Sequence, residues 1–147
     1  MTEKLVLDWQ TFHKACKKLA QIIPLEQYDG LVAVTRGGLV PAAILSSELD
    51  IRMVETIGVQ SYRGRQQSKL ELVKPAYLLE SEQIEPQRWL FVEDLVDTGS
   101  TIKFLKQYYP RADFACVYAK PKSAELVKYS VEQVAQDIWI DFPWETI

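Results

Sequence analysis

Twice in this chain, a short apolar run leads into a glycine-containing turn and then into a helical pattern. The first instance spans residues 31–45 and the second spans residues 89–109. Further apolar strands are predicted at residues 53–59 and 114–118. Strands buried on both faces read as continuous apolar runs, and such runs alternating with helices are typical of a parallel sheet. The pattern therefore predicts an α/β fold in which a central, mostly parallel sheet is flanked by helices.

An amphipathic helix is predicted to precede the first of these strands. Asp8 is placed to cap its start, Pro24 lies just beyond its end, and its apolar residues recur every three or four positions: Phe12, Cys16, Leu19 and Ile23. The chain contains no internal repeat, low-complexity tract or linker. We therefore expect one domain over residues 1–147.

The composition of the 147 residues narrows the class of protein. With 17 basic and 20 acidic side chains the formal charge is −3, which argues against a nucleic-acid partner. Cys16 and Cys116 have no paired spacing and read as buried thiols of a reducing compartment, and a single histidine, His13, excludes His-rich zinc sites. No apolar stretch approaches the ~20 residues of a membrane span, so a cytoplasmic protein is expected.

The two glycine-containing turns are expected to lie side by side, because the carboxyl ends of parallel strands meet at one edge of the sheet. Gly37 and Gly38 lie in the first turn and Gly99 in the second. Glycine lets backbone N–H groups approach a ligand, and the following helix contributes the positive end of its dipole. Either turn could hold a phosphate, but taken alone each could equally be a tight strand-to-helix connection.

The second turn carries three carboxylates directly before four small residues, in the order Glu93, Asp94, Asp97, Thr98, Gly99, Ser100 and Thr101. A bare phosphate site would not place three negative charges beside its ligand. A sugar phosphate bound with Mg²⁺ satisfies both halves of the motif, because carboxylates accept hydrogen bonds from sugar hydroxyls and hold the hydrated metal. The amides and hydroxyls that follow would then bind the phosphate.

These motifs resemble those of a known family. Residues 91–101 resemble the 5-phosphoribosyl 1-pyrophosphate (PRPP) signature of type I phosphoribosyltransferases, and residues 34–41 resemble their pyrophosphate loop. Residues 61–62, 119–121 and 137–144 further resemble one bacterial branch of that family, in the same order and at nearly the same spacing. The resemblance implies the type I phosphoribosyltransferase fold, with a flexible loop and a small C-terminal hood.

The same resemblance implies a purine salvage reaction. A 6-oxopurine base (guanine, xanthine or hypoxanthine) would displace pyrophosphate from PRPP and give GMP, XMP or IMP, with Mg²⁺ as the cofactor. It also implies a homodimer or homotetramer that is cytoplasmic or peripheral on the inner membrane face.

The resemblance assigns PRPP binding to residues of both turns: Arg36, Gly37, Glu93, Asp94, Asp97, Thr98, Gly99, Ser100 and Thr101. It also implies a cis peptide bond between Arg36 and Gly37. Asp94 is the expected Mg²⁺ ligand, directly or through water. Glu93 is the other candidate, and it departs from the aspartate that is commoner in the family.

The resemblance also assigns residues that act on the purine. Asp97 is the candidate base that takes the proton from N7, although a loop residue capping the next helix is the alternative. Lys120 would donate to the 6-oxo group, which excludes a 6-amino group. Trp139 would stack on the base unless it is a core residue, and the backbone carbonyls of Trp139 and Ile140 would accept hydrogens from the 2-position.

Residues 61–69 are polar and are expected to form the flexible loop that closes over the reaction centre. The candidate residues in it are Ser61, Tyr62, Ser68 and Lys69. Related enzymes carry a phosphate-binding arginine near the end of this loop, where this chain has Ser68. Either Lys69 supplies that contact or the contact is lost.

Two other functions compete with the transferase. A phosphorylated receiver domain also combines a strand-end acidic pair with a Lys-Pro, but it needs the acidic pair after its first strand. A regulator that senses PRPP without catalysis would keep the sugar-phosphate site alone. Asp97, Lys120 and Trp139 together favour the enzyme, because a sensor needs no purine pocket.

Overall fold

The structure is a computed structural model that describes residues 3–63 and 68–145. Within those ranges the strands are β1 (Lys4–Val6), β2 (Gly30–Thr35), β3 (Met53–Arg63), β4 (Ser68–Lys74), β5 (Trp89–Val96), β6 (Asp113–Ala119), β7 (Glu132–Gln133) and β8 (Trp139–Asp141). The α-helices are α1 (Trp9–Ile22), α2 (Leu39–Leu49) and α3 (Ser100–Tyr108), and short 3₁₀ helices occur at Tyr77–Glu80, Pro86–Arg88 and Ala124–Leu126.

The central sheet has the strand order β4-β3-β2-β5-β6-β7. Every neighbouring pair is parallel except β3 and β4, which form an antiparallel hairpin at one edge. Strands β1 and β8 pair in parallel as a separate small sheet, which we call the hood. The predicted α/β class with a mostly parallel sheet is therefore confirmed.

Both faces of the central strands are covered, which explains their continuous apolar runs. Leu31 of β2 and Leu90 of β5 pack in the core under α1 and α2, whereas Val32 and Phe91 pack on the opposite face with Ile102 of α3. Successive side chains of a strand point to opposite faces, so a strand with no polar position needs an apolar layer on each side.

Helix α1 forms as predicted. The Asp8 carboxylate accepts a hydrogen bond from the backbone N–H of Thr11 (2.7 Å), which satisfies one of the free donors at the helix start. Phe12, Cys16 and Leu19 are fully buried on one face. No helix in the described ranges is long and apolar enough to cross a membrane.

Strand β5 is longer than its apolar run suggests. The sequence predicts that the strand ends at Val92, but it continues to Val96 because Glu93 stays in register with Cys116 and Leu95 with Tyr118 of β6. Ladder pairing with β6 therefore outweighs the low strand preference of the two carboxylates. Glu93 and Asp94 consequently point to opposite faces of a strand instead of lying in a loop.

Residues 61–63 and 68–69, which are expected to belong to a flexible loop, form the ends of β3 and β4, and closure of this segment over the reaction centre stays a prediction. Ser61 pairs with Leu70, and the pairing continues through Tyr62 and Lys69 to the ends of β3 and β4. Antiparallel pairing satisfies these backbone groups, while the polar side chains of Ser61 and Lys69 remain exposed at the sheet edge. Residues 64–67 and the side chains of Tyr62 and Ser68 lie outside the described part of the chain.

Candidate active site

The two glycine-containing turns meet at the carboxyl ends of β2 and β5. We call them the 35–38 loop and the 97–101 turn. Strands β2 and β5 are adjacent and parallel, so their ends lie together. A Cβ on Gly38 would lie 2.1 Å from the backbone oxygen of Val92, and a Cβ on Gly37 would lie 2.5 Å from the Asp94 carboxylate. Glycine at both positions is therefore required by close packing between the two segments.

The cis peptide bond of the 35–38 loop joins Thr35 to Arg36. The expected bond between Arg36 and Gly37 is thus wrong by one residue. Thr35 is the last residue of β2 and still pairs with Gly58, so the cis bond is the first peptide bond beyond the strand.

A cleft of about 710 Å³ lies above these strand ends, and we call it the central cleft. It is lined by Thr35, Arg36, Gly37, Leu39, Val40, Glu93, Asp94, Trp144 and Glu145. Asp94 faces the 35–38 loop, whereas Glu93 borders both the cleft and a smaller cavity at the 97–101 turn. The cleft thus combines an arginine on one side with carboxylates on the other.

Burial disfavours the ionised form of the two strand carboxylates, Glu93 and Asp94. It raises the pKa of Asp94 to about 7, and the negative charge of Glu145 adds to that increase. Burial and the charge of Asp94 also raise the pKa of Glu93 well above its usual range. Two adjacent, partly buried carboxylates are unfavourable when both are ionised, so a bound cation would stabilise them.

The carboxylates make stability depend on pH in the absence of ligands. The pKa of Asp94 is higher in the folded protein than in the unfolded chain. The protonated Asp94 carboxyl therefore adds to the free energy of unfolding at acidic pH, and this contribution is lost as the pH rises from about 4 to about 7. We expect Asp94→Asn to remove this loss and to raise the free energy of unfolding at pH 8 by on the order of 2–4 kcal/mol.

Urea unfolding at pH 4 and pH 8, with EDTA and without ligands, measures the effect. Asp137→Asn, which changes an exposed carboxylate, serves as the control and should follow the wild type. An Asp94→Asn variant that loses as much stability as the wild type on going to pH 8 would contradict the assignment.

The 97–101 turn leads into helix α3 and encloses a cavity of about 120 Å³. Gly99 precedes the helix in the left-handed region (φ 84°), where other residues are strained. The hydroxyls of Thr98 and Ser100 lie 2.9 Å apart, and the N–H of Ser100 donates to Thr98 Oγ1 (3.3 Å). The first N–H groups of a helix lack backbone acceptors, so this cavity suits an anion.

Asp97 and Lys120 are brought together by the ends of β5 and β6. Lys120 Nζ lies 3.3 Å from Asp97 Oδ2, and the Lys120 N–H donates to the backbone oxygen of Val96 (3.0 Å). The Lys120 residue is 4% exposed, whereas about half of the Asp97 side chain is exposed. The result is a buried cation beside an accessible carboxylate, next to the anion cavity.

Two further residues hold Asp97, and neither is predicted from the sequence. The buried hydroxyl of Ser123 donates to the backbone oxygens of Asp97 (2.7 Å) and Val96 (3.1 Å). The side chain of Gln136 donates to the Asp97 carboxylate (2.9 Å). Neither belongs to a charged motif. The only signal for Gln136 is its place immediately before the 137–144 segment.

Trp139 lies in the hood and is 55% exposed, so it is not a core residue. Ile140 and Phe142 supply the buried contacts of this segment. The N–H of Trp139 donates to Glu3 O in the neighbouring chain segment (2.9 Å). Successive residues of a strand direct their backbone groups to alternate edges, so the carbonyl of Ile140 points away from β1.

Comparison with known proteins agrees with this geometry. Residues 4–146 match the family model described as the phosphoribosyl transferase domain. The xanthine-guanine phosphoribosyltransferase of Idiomarina loihiensis is 46% identical over 141 residues, which is 95% of this chain and 85% of that protein. The enzyme of the same name from Vibrio atlanticus is 42% identical over 147 residues, which is 99% of this chain and 92% of that protein.

Solved structures give the same family. A purine phosphoribosyltransferase from Pyrococcus horikoshii superposes with a TM-score of 0.85 at 28% identity, covering 98% of this chain and 95% of that one. The xanthine-guanine-hypoxanthine phosphoribosyltransferase of Helicobacter pylori gives 0.69 at 28% identity, covering 97% and 94%. With a family match over nearly its whole length and relatives above 40% identity, this chain belongs to the phosphoribosyltransferase family.

Proposed function

We propose that this protein is a purine salvage enzyme that transfers the 5-phosphoribosyl group from PRPP to a 6-oxopurine and releases pyrophosphate. The observation that carries the proposal is the Asp97–Lys120 pair (3.3 Å) beside the anion cavity of the 97–101 turn. An acceptor and a donor at this spacing match N7–H and O6 of a 6-oxopurine, which lie on one edge of the base.

We assign the three parts of PRPP to three parts of the site. The 5′-phosphate binds in the cavity of the 97–101 turn, where the first N–H groups of α3 meet it. The ribose hydroxyls donate to Glu93 and Asp94. The pyrophosphate lies against Arg36 and the backbone of Gly37, a position that lacks a Cβ because Asp94 occupies the space.

The donor set at this edge fits Mg²⁺. Within the described ranges, no cluster of three or more His, Cys, Asp or Glu side chains is placed to hold a metal. Mg²⁺ commonly takes one or two carboxylates and completes its shell with water and substrate oxygens. We propose Asp94 as its ligand, with Glu93 as the other candidate. When bound, the ion supplies positive charge to the pyrophosphate leaving group.

The purine binds between the 97–101 turn and the hood. Lys120 donates to O6, and Trp139 has the exposed ring that stacks on the base. We assign the acceptor for the 2-position hydrogens to the carbonyl of Ile140, because the backbone groups of Trp139 face β1.

The proposed reaction replaces one bond to C1 of the ribose by another. The C1–O bond breaks and its electron pair leaves with pyrophosphate, while the N9 lone pair of the purine forms the new bond. Asp97 accepts the proton from N7, which leaves a neutral base in the product. The carboxylates beneath the ribose stabilise positive charge that develops at C1.

We further propose that residues 1–147 act as one catalytic domain. The proposed assembly is a homodimer or homotetramer in the cytoplasm, or peripheral on the inner membrane face. The flexible-loop role of Ser61, Tyr62, Ser68 and Lys69 stays a prediction, as does a phosphate contact by Lys69.

Incubation of the protein with PRPP and guanine, xanthine, hypoxanthine or adenine, with and without Mg²⁺, tests the proposal. We expect nucleotide from the three 6-oxopurines, dependence on Mg²⁺, and no product from adenine, because its 6-amino group would face the donor Lys120. No nucleotide from any base would leave a PRPP-binding regulator instead.

A further inference from the structure

Gln136 connects Asp97 to the backbone beyond Lys120. Its Oε1 accepts a hydrogen bond from the N–H of Lys122 (3.0 Å). Its Nε2 donates to Asp97 Oδ1 (2.9 Å) and is 3.3 Å from the Asp97 backbone oxygen. A backbone N–H can only donate, so the amide oxygen must face Lys122 and the amide NH₂ must face Asp97. The orientation of this side chain is therefore determined by its partners.

The two carboxylate oxygens of Asp97 have different partners. Oδ1 accepts from Gln136, and Oδ2 lies toward Lys120 at 3.3 Å. The Lys120 ammonium has three donors, so it can give one to the O6 of a 6-oxopurine while Oδ2 accepts N7–H beside it. Gln136 holds the other oxygen, Oδ1, and so keeps Oδ2 directed at the purine. Because the amide is neutral, it holds Asp97 without neutralising the charge that accepts a proton.

We propose that Gln136 is a positioning residue that orients the Asp97 carboxylate so that Oδ2 takes the N7 proton. This inference rests on the proposed function. Gln136 does not contact the reacting atoms itself. Gln136 also donates to the Asp97 backbone oxygen (3.3 Å), but the Ser123 hydroxyl donates to the same oxygen at a shorter distance (2.7 Å). The backbone of the turn therefore keeps a donor without Gln136, whereas Oδ1 of the Asp97 side chain depends on it.

Gln136→Leu, which keeps the size of the side chain and removes its polar atoms, tests the proposal. We expect kcat with guanine to fall by about 10- to 100-fold, since a carboxylate displaced by about 1 Å loses much of its catalytic effect. The KM for PRPP should stay within about twofold, because Ser123 and helix α3 still hold the phosphate turn. Gln133→Leu, a change of an exposed glutamine in β7, is the control and should keep wild-type kcat.

Gln136→Glu tests whether kcat depends on the hydrogen bond from Gln136 to Asp97 or on the hydrogen bond from the Lys122 N–H to Gln136. Glutamate can still accept from the Lys122 N–H, but it places a carboxylate against Asp97 in place of a donor. We expect Gln136→Glu to be at least as slow as Gln136→Leu. A wild-type kcat for Gln136→Glu would show that only the Lys122 contact matters and would overturn the proposal.

The double variant Asp97→Asn/Gln136→Leu tests most directly whether Gln136 acts through Asp97. If Gln136 acts through the carboxylate of Asp97, adding Gln136→Leu to Asp97→Asn should change kcat by less than about twofold. A full additional loss, or a wild-type kcat for Gln136→Leu alone, would overturn the positioning role. Failure of the proposed function looks different, because the wild-type protein itself would then form no nucleotide from PRPP and any base.

Discussion

Asp97→Asn is expected to lower kcat with guanine by about 10²–10⁴-fold, the range for loss of a general base. The substitution keeps the shape of the side chain but replaces one oxygen by an amide nitrogen that cannot take the N7 proton. The turn itself should persist, because Ser123 and Lys120 bind backbone oxygens of Asp97 and Val96. The KM for PRPP should therefore change by less than about threefold, and steady-state kinetics with each substrate varied in turn measures both.

Asp50→Asn is the matched control. Asp50 is exposed at the end of α2 in a left-handed conformation that asparagine also adopts. It should retain wild-type kinetics. An unchanged kcat in Asp97→Asn would remove Asp97 from the role of base, whereas a large rise in the KM for PRPP would make it a phosphate-binding residue instead.

Lys120→Met is expected to lower kcat/KM by about 10²–10³-fold for guanine, xanthine and hypoxanthine alike. All three share the 6-oxo group, and loss of a buried charged donor to it costs about 3–4 kcal/mol. Methionine fills nearly the same volume, and Asp97 remains half exposed and bonded to Gln136, so no buried charge is left alone. Thermal unfolding should accordingly change little.

Lys122→Met controls for the loss of a lysine from the same segment. The Lys122 side chain is exposed and only its backbone N–H contacts Gln136, so activity should be retained. The outcome that contradicts the O6 assignment is a loss confined to one base, because that pattern would place Lys120 at a position where the three purines differ.

The parts of the fold that rest on apolar patterning were predictable from the sequence. Strands β2 and β5 are apolar at successive positions because each is covered on both faces, and that requirement is visible in the residues themselves. The start of α1 is equally local, since Asp8 caps the N–H of a residue three positions away.

The predicted strand ends are wrong where pairing with a strand distant in sequence extends the strand. Strand β5 continues through Glu93 and Asp94 because it pairs with β6. Strands β3 and β4 reach Arg63 and Ser68 because they pair with each other. No local preference of these polar residues indicates a strand.

The residues of the candidate site also differ in whether the sequence predicts them. Asp97 and Lys120 were predictable from motifs, and their 3.3 Å separation agrees with roles on one edge of a purine. Gln136 was not, because its partner lies 39 residues earlier and a neutral amide leaves no charge pattern. The structure also distinguishes the two strand carboxylates, since the atoms nearest to a Cβ at Gly37 are those of the Asp94 carboxylate.

A crystal structure of the protein with PRPP and Mg²⁺ tests the central claim most directly. We predict that the 5′-phosphate oxygens lie within hydrogen-bonding distance of the backbone N–H groups of residues 98–101, with the ribose hydroxyls at Glu93 and Asp94. A phosphoribosyl group bound elsewhere on the molecule, or a 97–101 turn left empty at saturating PRPP, would contradict the account.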